Sequence, residues 1–410
     1  MARLAIMKEK LRGLEWALAI ASLATYLAGG MAGEVSPLLM GAVLDDLSLS
    51  TAQGGFVFSV EMAVMAVVTL ASGPFMGVIQ RQRAARWATV LIIAGAVGAS
   101  LSSGLVTFMG ARVVSAIGAG LVFSIGTCIL GAAREPDRVS AMTATMQPVI
   151  TMSALLVLPL LIVPYGRMGA YGALAILAGL SIYAYRYIPR APREGAPLKT
   201  ALQGIARNRT SAHLSEDAPP LWLPVALIGS WFFLTIGEFG AYIFSERRGQ
   251  DIGMSPEAIG LALTLMAASG LVGAFIATAL GRRLGRVTPF IAGLSIAIAG
   301  VFLTFDATSA TGFTLGLMLW GGGFFLMFPF YVGALAMLDI EGRWVALATG
   351  VAMVAVAFSP SIIGLIIDGL GFEGVRIIST SLMGVTLVLT SLSIWAAGRF
   401  EQQRGPRDAG

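Results

Sequence analysis

Long apolar stretches separated by short polar ones recur along the chain from residue 14 to residue 398. Most run roughly 20–28 residues, the length a helix rising about 1.5 Å per residue needs to cross ~30 Å of hydrocarbon. The pattern predicts spans over 14–44, 54–80, 87–102, 105–132, 140–164, 168–188, 221–245, 256–281, 287–305, 311–338, 344–367 and 374–398. The expected fold is an all-α membrane protein with twelve transmembrane helices. One polar break is much longer than the rest: 189–220 carries Pro, Arg, Ser and the chain's one histidine, His213. It divides the chain into an N-terminal six-helix bundle (1–188), a linker (189–220), a C-terminal six-helix bundle (221–398) and a tail (399–410).

Charge then orients the spans. Of the 27 Lys and Arg, 22 fall in the N-terminus, alternate connections and the tail, among them Lys8, Arg83, Arg190 and Arg283. Four (Arg167, Arg247, Arg248 and Arg376) fall in the opposite set. Basic residues stay on the cytoplasmic side, so both termini and the linker are expected there, in a multi-pass protein of a bacterial-type inner membrane. Charged residues make up 12% of the chain, against roughly 25% in a soluble domain, and no stretch is left over for a soluble catalytic domain. The basic N-terminus leads into an apolar run far longer than the ~7–15 residues of a signal peptide, so the first span is expected to be retained. The net charge of +5 is spread over the loops as orientation signals and implies no nucleic-acid partner. Cys128 is the single cysteine, expected to pack rather than to bridge. The spans hold no His/Glu metal spacing, no Ser–His constellation and no Cys–His pair. No phosphate-binding glycine loop is present either. An enzyme, a metal, a cofactor and an ATP-driven pump are therefore not expected.

Away from the span ends, four charged side chains remain inside the spans: Glu34, Glu61, Arg112 and Glu238. A charge deep in hydrocarbon costs at least ~2.5–3.5 kcal/mol, so such groups mark function by default. Helical rise puts Glu61 and Arg112 each about 10 Å below the start of an inward-running span, and Glu238 about 9 Å short of the end of an outward-running one. Glu34 lies well past the middle of span one. All four are expected in one layer of the outer half of the membrane.

Two connections in matching places are short, basic and glycine-bearing: Gly73, Gly77, Arg81, Arg83 and Arg86 in one, Gly281, Arg282, Arg283, Gly285 and Arg286 in the other. With twelve spans and a central cytoplasmic loop, the chain resembles the major facilitator superfamily. That family's loop reads glycine, three residues, Asp-Arg, one residue, Gly-Arg-Arg/Lys. Arg283, Gly285 and Arg286 occupy its basic and glycine positions, while Arg282 stands where the acid belongs. The first copy also lacks the acid. In span four, Arg112 and Gly118 fit the family's pattern of Arg, Gln three residues on, and Gly-x-Gly; Ser115 and Ala116 depart from it. The resemblance implies that spans one, four, seven and ten line a central cavity and that Arg112 partners or tunes a carboxylate. Span five carries Gln147, Pro148 and Pro159 but not the Gly-Pro pattern of the family's drug–proton antiporters.

At a shared depth, a Glu34–Arg112 pair is expected, either as part of the machinery or as an inert strut. Glu61 and Glu238 are then left for proton exchange, Glu61 alternatively closing a gate or capping a helix. Proton coupling is assigned to Glu34, Glu61 and Glu238. Helical spacing adds neighbours on the same faces. Arg112, Tyr26, Trp231, Tyr242, Trp320, Phe324, Tyr331 and Gln147 are expected to contact an amphipathic organic solute; interfacial or lipid-facing aromatics are the alternative. Gly29 with Gly33, and Gly73 with Gly77, are spaced for close helix packing. Gly321, Gly322 and Gly323, followed by Pro329, could bend span ten. The expected function is a monomeric secondary transporter moving a small organic solute by alternating access, with protons in symport. A drug/proton antiporter and an uncoupled facilitator are the alternatives.

Overall fold

A computed structural model describes residues 2–131, 133, 136–192, 194–195, 220–281, 283–338 and 343–403. Most of the expected linker with His213, Arg282 and the end of the expected tail lie outside the described residues. Among the described residues thirteen α-helices follow one another: α1 Ala2–Gly29, α2 Met31–Glu34, α3 Ser36–Leu47, α4 Thr51–Ser72, α5 Arg81–Leu101, α6 Leu105–Gly131, α7 Pro136–Ser181, α8 Trp222–Ile243, α9 Ser245–Asp251, α10 Pro256–Leu280, α11 Val287–Asp306, α12 Ala310–Leu338 and α13 Arg343–Gln403. Among the described residues there is no strand, and nine helical stretches are long and apolar enough to cross a membrane.

The boundaries follow local chemistry. Where one span was expected over 14–44, the chain breaks at Gly30 and again at Val35, whose backbone (φ −99°, ψ 13°) leaves the helical region. Pro37 opens α3, and its missing N–H cannot continue the ladder from Gly33. Ser50 and Gln53 form a reciprocal capping box at the head of α4, the Gln53 N–H donating to Ser50 Oγ at 3.2 Å and the Ser50 N–H to Gln53 Oε1 at 3.0 Å. Asp368 adds a second cap there, accepting from the Ala52 N–H and the Thr51 hydroxyl.

The two expected spans 140–164 and 168–188 run together in α7, divided at Gly166 (φ 53°, ψ −141°). A side chain at Gly166 would face the left-handed penalty and also overlap the Asp46 carboxylate. The Arg167 N–H donates to Asp46 Oδ2 at 2.8 Å, and the Arg167 guanidinium donates to Ser102 Oγ at 3.1 Å and to the Ser102 carbonyl, satisfying the end of α5. Gly371 (φ 66°) divides α13 in the same way between the expected spans 344–367 and 374–398.

The described contacts separate into two compact units, Met1–Ser48 with Val60–Ala212, and Leu49–Ser59 with His213–Gly410. The head of α4 thus groups with the second unit. In the first, α1 packs on α6 and α7, and α5 on α6 and α7. Glycines set the closeness. A Cβ on Gly118 would overlap the Ala88 carbonyl of α5, and one on Gly95 would come within 2.6 Å of the Ala111 carbonyl. A Cβ on Gly29 would come within 3.0 Å of the Ala119 carbonyl, in keeping with close packing there, but one on Gly33, Gly73 or Gly77 would meet nothing within 4 Å. Those three are not packing glycines, and Gly73–Gly77 forms a 3-10 turn that accepts, at Met76, a 2.9 Å bond from Arg81 Nε. Cys128 is half-buried against the same end of the bundle.

In the second unit α8 packs on α13, and α12 on both α10 and α11. Gly321 of α12 abuts the Met266 carbonyl of α10, and Gly323 the backbone of Gly293 and Ala297 on α11. The three glycines expected to bend α12 instead let three backbones approach, and the helix runs unbroken from Ala310 to Leu338. Gly323 stands to Gly293 as Gly118 stands to Ala88. The same small-residue device therefore sets α11–α12 and α5–α6. Hydroxyls fasten α8 to α13: Ser230 and Thr390 share a 2.6 Å bond, and Thr386 donates to the Ser230 carbonyl at 2.9 Å.

Candidate functional site

In the first unit the embedded cation is held by a different acid from the one expected. Arg112 on α6 forks onto Glu61 of α4, with Nε donating to Oε2 at 2.9 Å and Nη2 to Oε1. Arg112 is 3% and Glu61 4% exposed. The expected Glu34–Arg112 pair is therefore corrected to Glu61–Arg112. Two donors in a fixed plane match the two carboxylate oxygens, which lets the pair survive its desolvation cost. A third group completes it. The ring of Tyr171, just beyond the Gly166 break in α7, lies 4.7 Å under the guanidinium carbon and meets Phe108 edge-on at 5.8 Å. Its hydroxyl is buried without a hydrogen-bond partner. The ring rather than the hydroxyl is what this place uses.

Glu61 and Tyr171 enclose Arg112, which the sequence placed among the solute contacts. Glu34 behaves differently. It is exposed, at the last residue of the four-residue helix α2, between the two breaks of the chain. Tyr26, two turns earlier, lies within its electrostatic reach and shares a 2.6 Å hydrogen bond with Thr151 of α7. Gln147 is half-buried one turn before Thr151 on the same face of α7.

The second unit gathers the aromatic residues. Trp231 of α8 stacks on Tyr331 of α12 (4.2 Å between centroids, 17° between planes) and meets Phe328 at 5.6 Å and Phe324 at 6.4 Å. Phe324 and Phe328 are themselves stacked at 6.0 Å. Trp231, Phe324 and Phe328 are half-buried, whereas Tyr331 is 2% exposed and donates its hydroxyl to the Leu227 carbonyl at 3.1 Å. On the other side of Glu238, half-buried Tyr242 meets the wholly buried Trp320 edge-on, and Trp320 leans on Phe305. Tyr331 and Trp320, expected to contact solute, are buried against Trp231 and Tyr242. Their burial is decided by which side of α12 faces α8 and α11, and aromatic spacing along one helix does not reveal it.

Sequence reasoning missed Tyr171, Phe328 and Thr151. Phe328 was legible as the residue one turn after Phe324. Tyr171 and Thr151 carry no signal in a single sequence, because each acquires its neighbour from another helix. Among the described residues no group of three His, Cys, Asp or Glu is placed to hold a metal ion.

Residues 18–338 match the Major Facilitator Superfamily. No curated protein matches the sequence. Solved structures share the fold. A D-xylose-proton symporter aligns with a TM-score of 0.71 at 16% identity, covering 93% of this chain and 97% of its own. The peptide transporter POT, as a mutant in complex with alafosfalin, aligns with a TM-score of 0.70 at 15% identity over 95% of each chain. A mutant of the nucleoside transporter NupG aligns with a TM-score of 0.65 at 12% identity, over 94% of this chain and 99% of its own.

Proposed function

Since this chain belongs to the major facilitator superfamily, we propose that it is a proton-coupled secondary transporter taking a small organic solute across a bacterial-type cytoplasmic membrane by alternating access. The observation that carries the reading is the contrast among three embedded carboxyls. Glu61 is locked in a buried fork with Arg112, while Glu34 is exposed and Glu238 half-buried. A coupling group must exchange its proton with water as access alternates, and an enclosed, ion-paired carboxylate is poorly placed for that. Proton exchange therefore falls to Glu34 and Glu238, and Glu61 serves as a strut between α4 and α6. The half-buried aromatics Trp231, Phe324, Phe328 and Tyr242 suit an amphipathic solute.

Twelve spans and two cytoplasmic termini are part of the same reading. The breaks at Gly166 and Gly371 each divide one long helical run at an expected connection, and the distribution of Lys and Arg alternates in step. The fold relatives include a protein named as a proton symporter, which supports symport over exchange.

Proteoliposomes loaded with a pH-sensitive dye test the coupling. On addition of a panel of sugars, nucleosides, peptides and organic amines, at least one solute should carry protons with it under an imposed gradient. Glu34→Gln and Glu238→Gln should each abolish that proton movement, whereas solute flux indifferent to the gradient in the wild type would refute coupling and leave a facilitator.

A further inference from the structure

The geometry of the first unit points to a binding site for an anionic phospholipid. Its phosphate is held by arginines at the head of α5 and in the 3-10 turn that follows α7, and its acyl chains lie along the apolar rows beneath. The inference holds whatever the solute and its coupling. On α5, Arg83, Arg86, Val90 and Val97 follow one another down one face, and all four are exposed. The turn Ile182–Tyr187 continues α7 at about three residues per turn, so Tyr183 and Arg186 stand one above the other, both exposed. Exposed Ile176 and Leu180 extend that row down α7. The two rows are neighbours: α5 packs on α7 and on the turn, and a Cβ on Gly179 would lie 3.8 Å from Ile93 of α5. Each apolar row therefore ends in a guanidinium.

The two basic ends are fixed to each other before any ligand arrives. Gln82 donates from Nε2 to the Ile188 carbonyl at 2.9 Å and to the Arg186 carbonyl at 3.2 Å, and the buried Thr89 and Tyr185 hydroxyls share a 2.8 Å bond. The Arg186 guanidinium is steadied over the Tyr187 ring, 4.8 Å from its centre. Depth fits a headgroup. Helix α5 rises about 31 Å, so its first turns reach the edge of the hydrocarbon. Trp87 there is 71% exposed and Tyr183 on the turn 77% exposed, as amphipathic rings at a membrane surface are. Charge then selects the lipid. Neither 73–101 nor 170–192 holds an Asp or Glu, and among the described residues no carboxylate pairs with Arg83, Arg86, Arg186 or Arg190. Guanidinium groups fork onto phosphate oxygens. A zwitterionic lipid would bring an ammonium to the same arginines, and free phosphate would leave the apolar rows unused. The matching place in the second unit is built differently: Arg286 is half-buried beside Gly333 of α12.

Native mass spectrometry of the purified full chain in detergent tests the site, with phosphatidylglycerol set against phosphatidylcholine of the same acyl chains. Wild type should bind the anionic lipid at least about fivefold more tightly, the factor that one Lys or Arg near an anionic surface contributes. Arg83→Gln, Arg86→Gln and Arg186→Gln together should remove the preference while helix content and elution remain those of wild type. Arg283→Gln, at an exposed arginine of the second unit, should keep it. Inorganic phosphate in large excess should not displace the bound lipid, because it cannot use the apolar rows. Equal binding of the two lipids by wild type overturns the inference without requiring any variant to fold. So does displacement by inorganic phosphate, which would mark a site for the free anion. A triple variant that keeps the preference, or an Arg283→Gln protein that loses it, overturns the inference as well, since the attraction would then belong to basic loops in general.

Discussion

Replacing Glu61 by Gln should be among the most damaging single changes in the first unit. The substitution leaves Arg112, 3% exposed, without its counter-charge. A guanidinium cannot shed its proton to escape. Breaking a buried pair from one side costs about 3–5 kcal/mol, and this fork loses two charge-assisted bonds at once. Arg112→Met should cost less, about half as much, because the carboxyl left behind can bind a proton and become neutral. Removing both charges together, as Glu61→Gln with Arg112→Met, should fall within about 2 kcal/mol of wild type, since a buried pair often contributes little net over an uncharged replacement. The resulting coupling energy should be at least about 2 kcal/mol. Reversible unfolding in mixed micelles, followed by far-ultraviolet dichroism, gives all four corners of the cycle. Single effects that add to within about 0.5 kcal/mol would refute the reasoning, as would a Glu61→Gln protein as stable as wild type. Tyr171 supplies an internal check: Tyr171→Phe keeps the ring and should be neutral, because the hydroxyl has no partner to lose. Tyr171→Leu should cost about 0.5–2 kcal/mol for the lost cation–aromatic contact alone.

Gly118→Val should prevent stable assembly, because its Cβ would overlap the Ala88 carbonyl, whereas Gly33→Ala has open space and should leave yield and elution unchanged; size-exclusion profiles separate the two. Gly166→Ala combines a left-handed backbone with the Asp46 carboxylate at close quarters and should destabilise by at least about 1–2 kcal/mol in the same unfolding assay. Asp368→Ala removes the cap on Ala52 and Thr51 and should cost about 1 kcal/mol, seen as faster amide exchange at the head of α4; protection equal to wild type would show that the Ser50–Gln53 box suffices.

How much of this was legible depends on what each residue's neighbour is. The long apolar helices were legible because hydrophobicity is a property of the stretch itself. Azimuth was not. Glu34 and Glu61 were both assigned to the outer layer, and only the breaks at Gly30 and Val35, together with the rotation of α4 about its axis, decide which of them faces Arg112. The glycines show the same limit. Spacing predicted a small-residue face for Gly29 and for Gly33, but only Gly29 meets another helix. Trp320 and Tyr331 could not be told from half-buried aromatics, because aromatic stripes look alike from one chain and their burial depends on neighbouring helices. Tyr171 was invisible, since its value lies in a guanidinium contributed by another helix.

The backing of α12 has a consequence for how this protein can change. Gly321 and Gly323 have no freedom to vary, since each is pressed against a neighbouring backbone. Phe324 and Phe328, further along the helix, are half-buried and meet Trp231 and each other through ring contacts alone. A lineage can therefore exchange those rings for other side chains while the helix keeps its register. The scaffold of α12 is thus held more tightly than the rings it carries.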